Sequence, residues 1–531
     1  MSIKKTGPRS EEKMPGLFRS VGTIGGVTII SRITGFIRDM LVALCMGANA
    51  LTDAFFVAFK LTNVLRRLFA EGAFNASFLP VFSRVLVRNG KEKAQELASQ
   101  TLTVLIIFLS GFSVFVILGY ADVIRGLAPG FAPDGKTFKT AVLLGRICFP
   151  YLTVTSIMAL FCGILNTFNK FALPAATQIL LNLFFIFVLI TGIALHCQIS
   201  TIALMLALST LAAGLMQVTL VWWAVERLSI RVRFVRPKMP KELREIGRKM
   251  VPGILGAGVW QINLLVDTQA CSFLTEGAVS YIYFADRVNQ LPLGTLGIAL
   301  STVLLPTLSK LIQGGRQEQA TIEFNRGVSL AFFLTIPAAV CMVMIPHILV
   351  ALVYERGSFL SHQVAPVADA LRAFGWGVPA YIGTKILASA FFAQGDTRTP
   401  VKVGLVSVLA NISFIVLLTP KMGHVGIALA TALSSWVNVS TLYILLRRKA
   451  LIFVFPKTQW RCAKQLIAAC IVAIEMFIFN VSFGQDFIDG ALSARILLFL
   501  AIIGIALGTY GGVTYVIKAF PALGPRPQGA K

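Results

Sequence analysis

Charge is scarce in this sequence. Only 13% of its 531 residues are Asp, Glu, Lys or Arg, where a soluble domain carries about 25%. Acids are scarcer still, with 23 Asp and Glu against 48 Lys and Arg. The four histidines form no HExxH motif and no cluster, and the eight cysteines show no CxxC or metal spacing. These absences argue against a zinc hydrolase or a disulfide scaffold. A GxxxxGK(S/T) phosphate loop is missing, which argues against ATP-driven work. The outer loops hold no convergent set of acid, base and metal ligands, as a membrane-bound polymerase would need. No cofactor motif is present.

What is abundant is apolar. Hydrophobic residues make up 56% of the chain and mean hydropathy is +0.79. Runs of about 18 or more apolar residues recur, each long enough to cross a bilayer. Most cysteines, Cys148, Cys162, Cys271, Cys341 and Cys470 among them, fall inside these runs and read as small hydrophobes. The N-terminal MSIKKTGPRSEEK leads into an apolar stretch reaching about Cys45. That is too long for the apolar core of a signal peptide.

The pattern predicts an all-α polytopic membrane protein of about fourteen spans. They lie near 20–46, 52–82, 98–120, 138–168, 173–195, 200–226, 247–274, 278–309, 327–353, 366–394, 400–419, 424–446, 464–483 and 492–517. The net charge of +25 does not mark a nucleic-acid partner, because the cations sit between the apolar runs. With both termini inside, the inner loops and tails hold about 33 Lys and Arg and the outer loops about six. This asymmetry is the positive-inside pattern. It places both termini in the cytoplasm.

A faint repeat divides the chain. FPYLTVTSIMALFCGILNTFNKFALP from Phe149 and VPAYIGTKILASAFFAQGDTRTP from Val378 share a Pro-aromatic entry, an apolar helix and a polar turn. Asn182 and Asn411 follow in the next helices. The offset of about 227 residues spans six helices. The predicted organisation is an inner tail (1–19), a six-helix lobe (20–228), a basic linker (229–246), a second lobe (247–448), a second basic linker (449–463), a helix pair (464–518) and a tail (519–531). Repeats of this kind are a transporter signature, with the site between the halves.

Three spans carry charges that hydrocarbon does not tolerate. Arg32 stands about eleven residues into the first span, roughly 16 Å along a helix, near the middle of a core about 30 Å thick. An unpaired Arg there costs about 2.5–3.5 kcal/mol. At about 100° per residue, Arg32 and Arg38 lie about 120° apart with Gly35 midway. This predicts two guanidinium groups flanking a glycine floor, with Asp39 offsetting one charge. In the second span Asp53, Lys60 and Arg67 follow at intervals of seven, joined by Arg66 and Glu71. In the eighth, Ser280 and Arg287 share a face, with Asp286 adjacent and Pro292 interrupting the helix. Six cations against four acids favour an anion site, since the Arg fork matches phosphate. A drug or cation antiporter would instead want an acid-rich cavity. Arg146, Arg372 and Lys385 read as interfacial or paired. Asp267 is isolated and could hold a cation, and Glu475 stands alone in the thirteenth span.

These residues carry a resemblance. SRITGFIRD, ALTDAFFVAFKLTNVLRRLFAEGAFNASFLPVF and YFADRVNQLPLGTLGIALSTVLLPTLSK closely resemble the MurJ (MviN) lipid II flippases of the multidrug/oligosaccharidyl-lipid/polysaccharide exporter superfamily. FPYL with GILNTFNKFALP, and QGDTRTPVK, extend the match over nearly the whole chain. The resemblance implies fourteen helices in two six-helix lobes and a C-terminal pair that forms a groove for a polyprenyl tail. It implies alternating access and, as substrate, lipid II, the undecaprenyl-diphosphate-linked disaccharide-pentapeptide. Inner-membrane lipids and the peptidoglycan synthesis machinery are the implied partners. The family's functional positions fall on Arg32, Arg38, Asp53, Arg66 and Arg287. Phe284 stands where many members have a second tyrosine, and Thr62 where a proline is usual, so the resemblance alone does not place a bend in the second helix. Coupling to a monovalent cation, with Asp267 and Asp396 as candidate sodium ligands, is also implied. Separately, an inside-negative membrane potential could help reset a cationic cavity. A polysaccharide-lipid flippase is the alternative within the same superfamily.

Overall fold

The computed structural model describes residues 16–449 and 452–521, apart from the side chains of a few positions that include Glu71. The predicted tails therefore lie largely outside the described residues. The elements are α1 (Gly16–Met46), α2 (Ala50–Arg66), a π-helical stretch (Arg67–Phe74), α3 (Asn75–Leu118), α4 (Tyr120–Leu127), α5 (Lys136–Cys148), α6 (Tyr151–Thr167), α7 (Ala172–Ala194) and α8 (Ile199–Arg227). After a linker come α9 (Lys241–Ser272), α10 (Ala278–Pro292), a second π-helical stretch (Leu293–Gly297), α11 (Ile298–Gln313), α12 (Gln317–Met344), α13 (Pro346–Tyr354), α14 (Ser361–Gly375), α15 (Val378–Ala393), α16 (Arg398–Met422), α17 (His424–Lys449), α18 (Pro456–Asp489) and α19 (Leu492–Val516). All fourteen predicted stretches are helical. Nine helical segments among the described residues are long and apolar enough to span a bilayer unaided. The segments outside that nine, including α1, α2 and α9 to α11, carry the polar stripes.

The boundaries differ from expectation where backbone chemistry intervenes. The second and third spans form one helical path kinked at Gly90, whose φ of +81° only glycine adopts at little cost. Without a proline at Thr62, α2 stays regular to Arg66 and then widens into the π-helical stretch. In the eighth span the widening follows Pro292, which cannot donate to the ladder. The expected linker 229–246 is shorter, because α9 begins at Lys241. The extended backbone before it lies along α3: the amides of Arg231, Arg233 and Val235 donate to Gln95, Ser99 Oγ and Thr103 Oγ1 at 3.1, 3.2 and 3.0 Å. Two residues of extended chain and four of helix both advance about 6–7 Å, so the registers match.

The repeat is real at the level of contacts. Arg38 Nη1 donates to Asn182 Oδ1 at 3.0 Å in the first lobe, and Asn411 Nδ2 donates to Asp267 Oδ1 at 3.1 Å in the second. Both pairs are 144 residues apart and offset by 229 (267 − 38 and 411 − 182). Arg146 Nε caps the Ile117 carbonyl at 3.1 Å, and Arg372 Nε, 226 residues on, caps that of Val343 at 3.2 Å. These two arginines are thus held by helix ends, as expected of interfacial residues.

Packing shows how the lobes meet. At the end of the bundle away from the basic loops, one apolar core runs through both lobes, from Val42, Phe55 and Tyr151 to Phe284, Tyr354 and Val367. At the basic end each lobe has its own core, one around Phe78 and Leu160, the other around Phe324 and Phe391. Among the described residues α9 packs along the opposite lobe there, with Arg84 and Glu245 paired at 2.5 Å. Lys249 and the arginine hold the half-buried Glu245 carboxyl below its ordinary range. A fourth core joins α18 and α19 to α12 and α13, and Arg495 pairs with Glu355 at 2.9 Å.

Candidate functional site

The seal between the lobes is built largely from backbone. Ser358 N donates to the Leu44 carbonyl at 2.8 Å, and Gln363 bonds both the amide and the carbonyl of Ala48 at 3.1 and 3.0 Å. Gly47 (φ +62°) and Gly357 (φ +59°) permit this approach, since a Cβ on either would overlap the opposite backbone. Asp53 of α2 completes it. Its carboxylate accepts from Gly277 N at 2.7 Å, Ser280 N at 2.8 Å and Ser280 Oγ at 2.5 Å. A carboxylate at a helix N-terminus satisfies orphan amides and complements the dipole. Asp53 thus caps α10 across the lobes. The expectation that Asp53 and Ser280 face a ligand is corrected for this state: they face each other, with Ser280 fully buried.

Inward from the seal lies a charged cluster. Asp39 Oδ1 accepts from Arg38 Nε and Nη2 at 3.0 and 2.7 Å and from Tyr283 Oη at 3.0 Å. Arg287 Nε lies 3.9 Å from Asp39 Oδ2, and the guanidinium stacks 4.7 Å over Tyr283. Tyr283 in turn stacks on Phe56 of the other lobe at 3.8 Å. Arg38 and Arg287 therefore share Asp39, with Asp286 also within electrostatic reach of Arg287, in an arrangement drawn from both lobes. Gly35 is not an open floor: its Cα faces Asn182, whose Nδ2 lies 3.4 Å from where a Cβ would sit. Asn182 anchors the helix by donating to Ser31 O and Thr34 Oγ1 at 3.1 and 3.2 Å.

The other expected residues disperse. Arg32 is exposed and lies over Gly294, away from the Asp39 cluster. Lys60 sits within electrostatic reach of Asp267, Asp286 and Arg287, so it bridges the lobes by charge. Asp286 accepts from Gln290 Nε2 at 2.5 Å. Arg66 is buried at the inner end of α2, with Nε 3.3 Å from Asn63 Oδ1, while Arg67 is exposed. The stripe of Asp53, Lys60 and Arg67 is thus one face serving three separate environments. The side chain of Glu71 lies outside the described residues. Asp267 and Asp396 do not share a site. Asp396 is in the α15–α16 turn, bound to Lys449 and to Thr399 Oγ1 at 2.6 Å, and these contacts hold its carboxyl well below the usual range. Asp267 is bound to Asn411 near the opposite end of α9. Glu475 receives Thr509 Oγ1 at 3.4 Å. Tyr283 and Gln363 were not singled out by sequence. Tyr283 could have been, since it lies one turn from Arg287.

The geometry agrees with what comparison with known proteins shows. The family model described as Lipid II flippase MurJ matches residues 42–498. The chain belongs to the MurJ family. The MurJ relative from Rhizobium meliloti (strain 1021), described as a probable lipid II flippase, is 35% identical over 511 residues, covering 94% of each chain. A Burkholderia cenocepacia protein described as lipid II flippase MurJ is 34% identical, covering 86% of this chain and 88% of its own. Among solved structures, a MurJ in an inward closed conformation superposes with a TM-score of 0.77 at 23% identity, over 94% of this chain and 99% of that one. A multidrug resistance transporter of the MATE family superposes at 0.66 and 14% identity, over 81% and 98%. MurJ membership makes the chain a multi-pass membrane transporter rather than an enzyme.

The seal gives a first prediction. Asp53→Ala removes a charge-assisted cap, whose bonds contribute about 1.5–3 kcal/mol each at most. The seal should open more often, and buried Cys271, within electrostatic reach of Asp53, should be alkylated faster in protein lacking the other cysteines. Unchanged labelling would show that the seal stands without Asp53.

Proposed function

We propose that the protein carries lipid II from the cytoplasmic to the periplasmic leaflet of the inner membrane by alternating access. The observation that carries this reading is the pair Arg38 and Arg287, brought from different lobes onto the single acid Asp39. A diphosphate cannot cross about 30 Å of hydrocarbon unshielded. Two guanidinium forks offer it bidentate, charge-assisted hydrogen bonds. The separate cores at the basic end, with a common core at the other, support a state closed toward the periplasm, the positive-inside pattern assigning the basic end to the cytoplasm. The undecaprenyl tail would stay in lipid. An apolar cavity of about 380 Å³ between α12, α15, α17 and α18, lined by Phe332, Trp436 and Leu466, supports a tail path beside the C-terminal pair.

Coupling belongs to the same proposal. Asp267, the Asn411 Oδ1 that has no hydrogen-bond partner, and Thr431 within reach of Asp267 offer oxygens suited to a monovalent cation. Asp396 takes no part. The membrane potential is the second source, at about 2.3 kcal/mol per charge per 100 mV. Contact with the peptidoglycan synthesis machinery would follow from delivery at the outer leaflet.

Binding tests the substrate. Purified protein is expected to hold lipid II or undecaprenyl diphosphate more tightly than phosphatidylethanolamine in native mass spectrometry, less so at high salt. Equal binding of all three would overturn the diphosphate reading. Labelling tests the orientation. Cysteines placed in 227–249 should resist an impermeant reagent in intact cells, and those in 121–139 should react; the reverse pattern would refute it.

A further inference from the structure

Arg32 and Lys385 form a cationic pair that the Arg38–Asp39–Arg287 cluster does not use. The Arg32 guanidinium lies directly on the backbone of Gly294, where a Cβ would overlap it. Lys385 Nζ comes within 3.3 Å of the Cβ position of Gly297. Both glycines belong to the Leu293–Gly297 π-helical stretch, so the two cations stand side by side and repel. Neither has an acidic partner among the described residues, and Arg32 lies within electrostatic reach of the half-buried Lys385.

Lys385 also lines a cavity of about 570 Å³ between α11, α15, α16 and α17. Small-ligand pockets run from about 300 to 1,000 Å³. Its wall includes Thr384 and Asn438, and Asn438 is only 6% exposed. Thr384 Oγ1 and Asn438 Oδ1 are buried without a hydrogen-bond partner among the described residues. Buried polar atoms are normally paired. Two that are not, behind a largely apolar wall that also carries an ammonium with no acid beside it among the described residues, leave hydrogen-bonding capacity that a polar ligand could use once the wall shifts to expose them.

We propose that Lys385, with Thr384 and Asn438, is a second subsite in the C-terminal lobe, which takes a carboxylate of the cargo's peptide while the arginines face its diphosphate. This rests on the flippase reading above. A compact ammonium beside an amide and a hydroxyl suits a carboxylate, whereas the planar forks of Arg38 and Arg287 suit phosphate. Lys385 would then select for cargo with a finished peptide rather than for polyprenyl diphosphate alone.

The test compares three lipids on the same protein by native mass spectrometry: lipid II, lipid II with its peptide carboxylates amidated, and undecaprenyl diphosphate. Unmodified protein should prefer lipid II to its amidated form. Lys385→Gln should weaken lipid II by about tenfold, the worth of one charge-assisted contact, and leave undecaprenyl diphosphate unchanged. Lys385→Arg should keep most of the preference. If Lys385→Gln does not fold, Asn438→Asp serves instead, since a carboxylate against Lys385 should repel the peptide acid in the same selective way. A loss shared equally by lipid II and undecaprenyl diphosphate, or no loss of either, would overturn the subsite. Failure of unmodified protein to prefer undecaprenyl diphosphate to phosphatidylethanolamine would instead overturn the flippase reading.

Discussion

Arg38→Ala is expected to abolish growth when it is the sole copy, and to lower the melting temperature as well. The two effects have different origins. Asp39 is 3% exposed and takes two charge-assisted hydrogen bonds from Arg38. Removing one partner of a buried pair leaves an uncompensated charge, at a cost of about 3–5 kcal/mol. Tyr283 and Arg287 offset part of that. Adding Asp39→Asn removes the stranded charge, so the double variant should recover most of its thermal stability. It should not recover transport, because the fork that would hold a diphosphate is still gone. Arg38→Lys should stay stable and transport poorly, since a point charge lacks the bidentate geometry. Arg287→Ala should abolish transport with a smaller stability loss, its contact with Asp39 being 3.9 Å rather than 2.7 Å. Growth of the Arg38→Ala/Asp39→Asn double variant at the normal rate would reduce Arg38 to a packing residue.

A cross-link across the seal should stop transport completely and reversibly. Leu44 O and Ser358 N are 2.8 Å apart, on opposite lobes. Cysteines at Leu44 and Ser358, in a chain cleared of Cys45 and the other native thiols, should join on mild oxidation. If the lobes must part at this end to release cargo, the oxidised protein cannot turn over and a reductant should restore it. Both single-cysteine variants should transport in either condition. Undiminished transport by fully cross-linked protein would exclude alternating access through this seam. Gly47→Val points the same way: its side chain would meet the Ser358 carbonyl, so the protein should favour a state open at that end.

How much of this was legible in the sequence depended on the scale of the feature. The all-helical, multi-pass character follows from hydropathy and loop charge, both summed over many residues. The functional helices were legible for the opposite reason, since charges in α1, α2 and α10 are costly in lipid. What a helical wheel could not supply was the partner across the gap. It placed Gly35 between two arginines, but Asn182 comes from α7 and fills that space. It grouped Asp53 with Lys60 and Arg67 at intervals of seven, but neighbouring helices give each a separate environment. Lys385 read as an interfacial lysine because its own span is apolar; only the approach of α1 and the π-helical stretch shows it beside Arg32. The repeat was faint as sequence because few matched positions keep their identity: Asn182 and Asn411, or Arg146 and Arg372, do, while Arg38 is matched by Asp267.

That inversion has an electrical consequence. A positive and a negative charge at equivalent points of two like-oriented halves form a dipole lying in the membrane plane. A transmembrane voltage acts along the normal and does no work on it. If the halves rock symmetrically, Arg38 and Asp267 are displaced in the same sense, and their contributions to gating charge cancel. Arg32 has no such counterweight, because 229 residues on stands the neutral Gln261. Asp39 likewise has no counterpart, since its mirror position is the neutral Thr268. The voltage sensitivity of the unloaded carrier should therefore be governed by the charges, Arg32 and Asp39 among them, that lack an opposite charge at the mirror position.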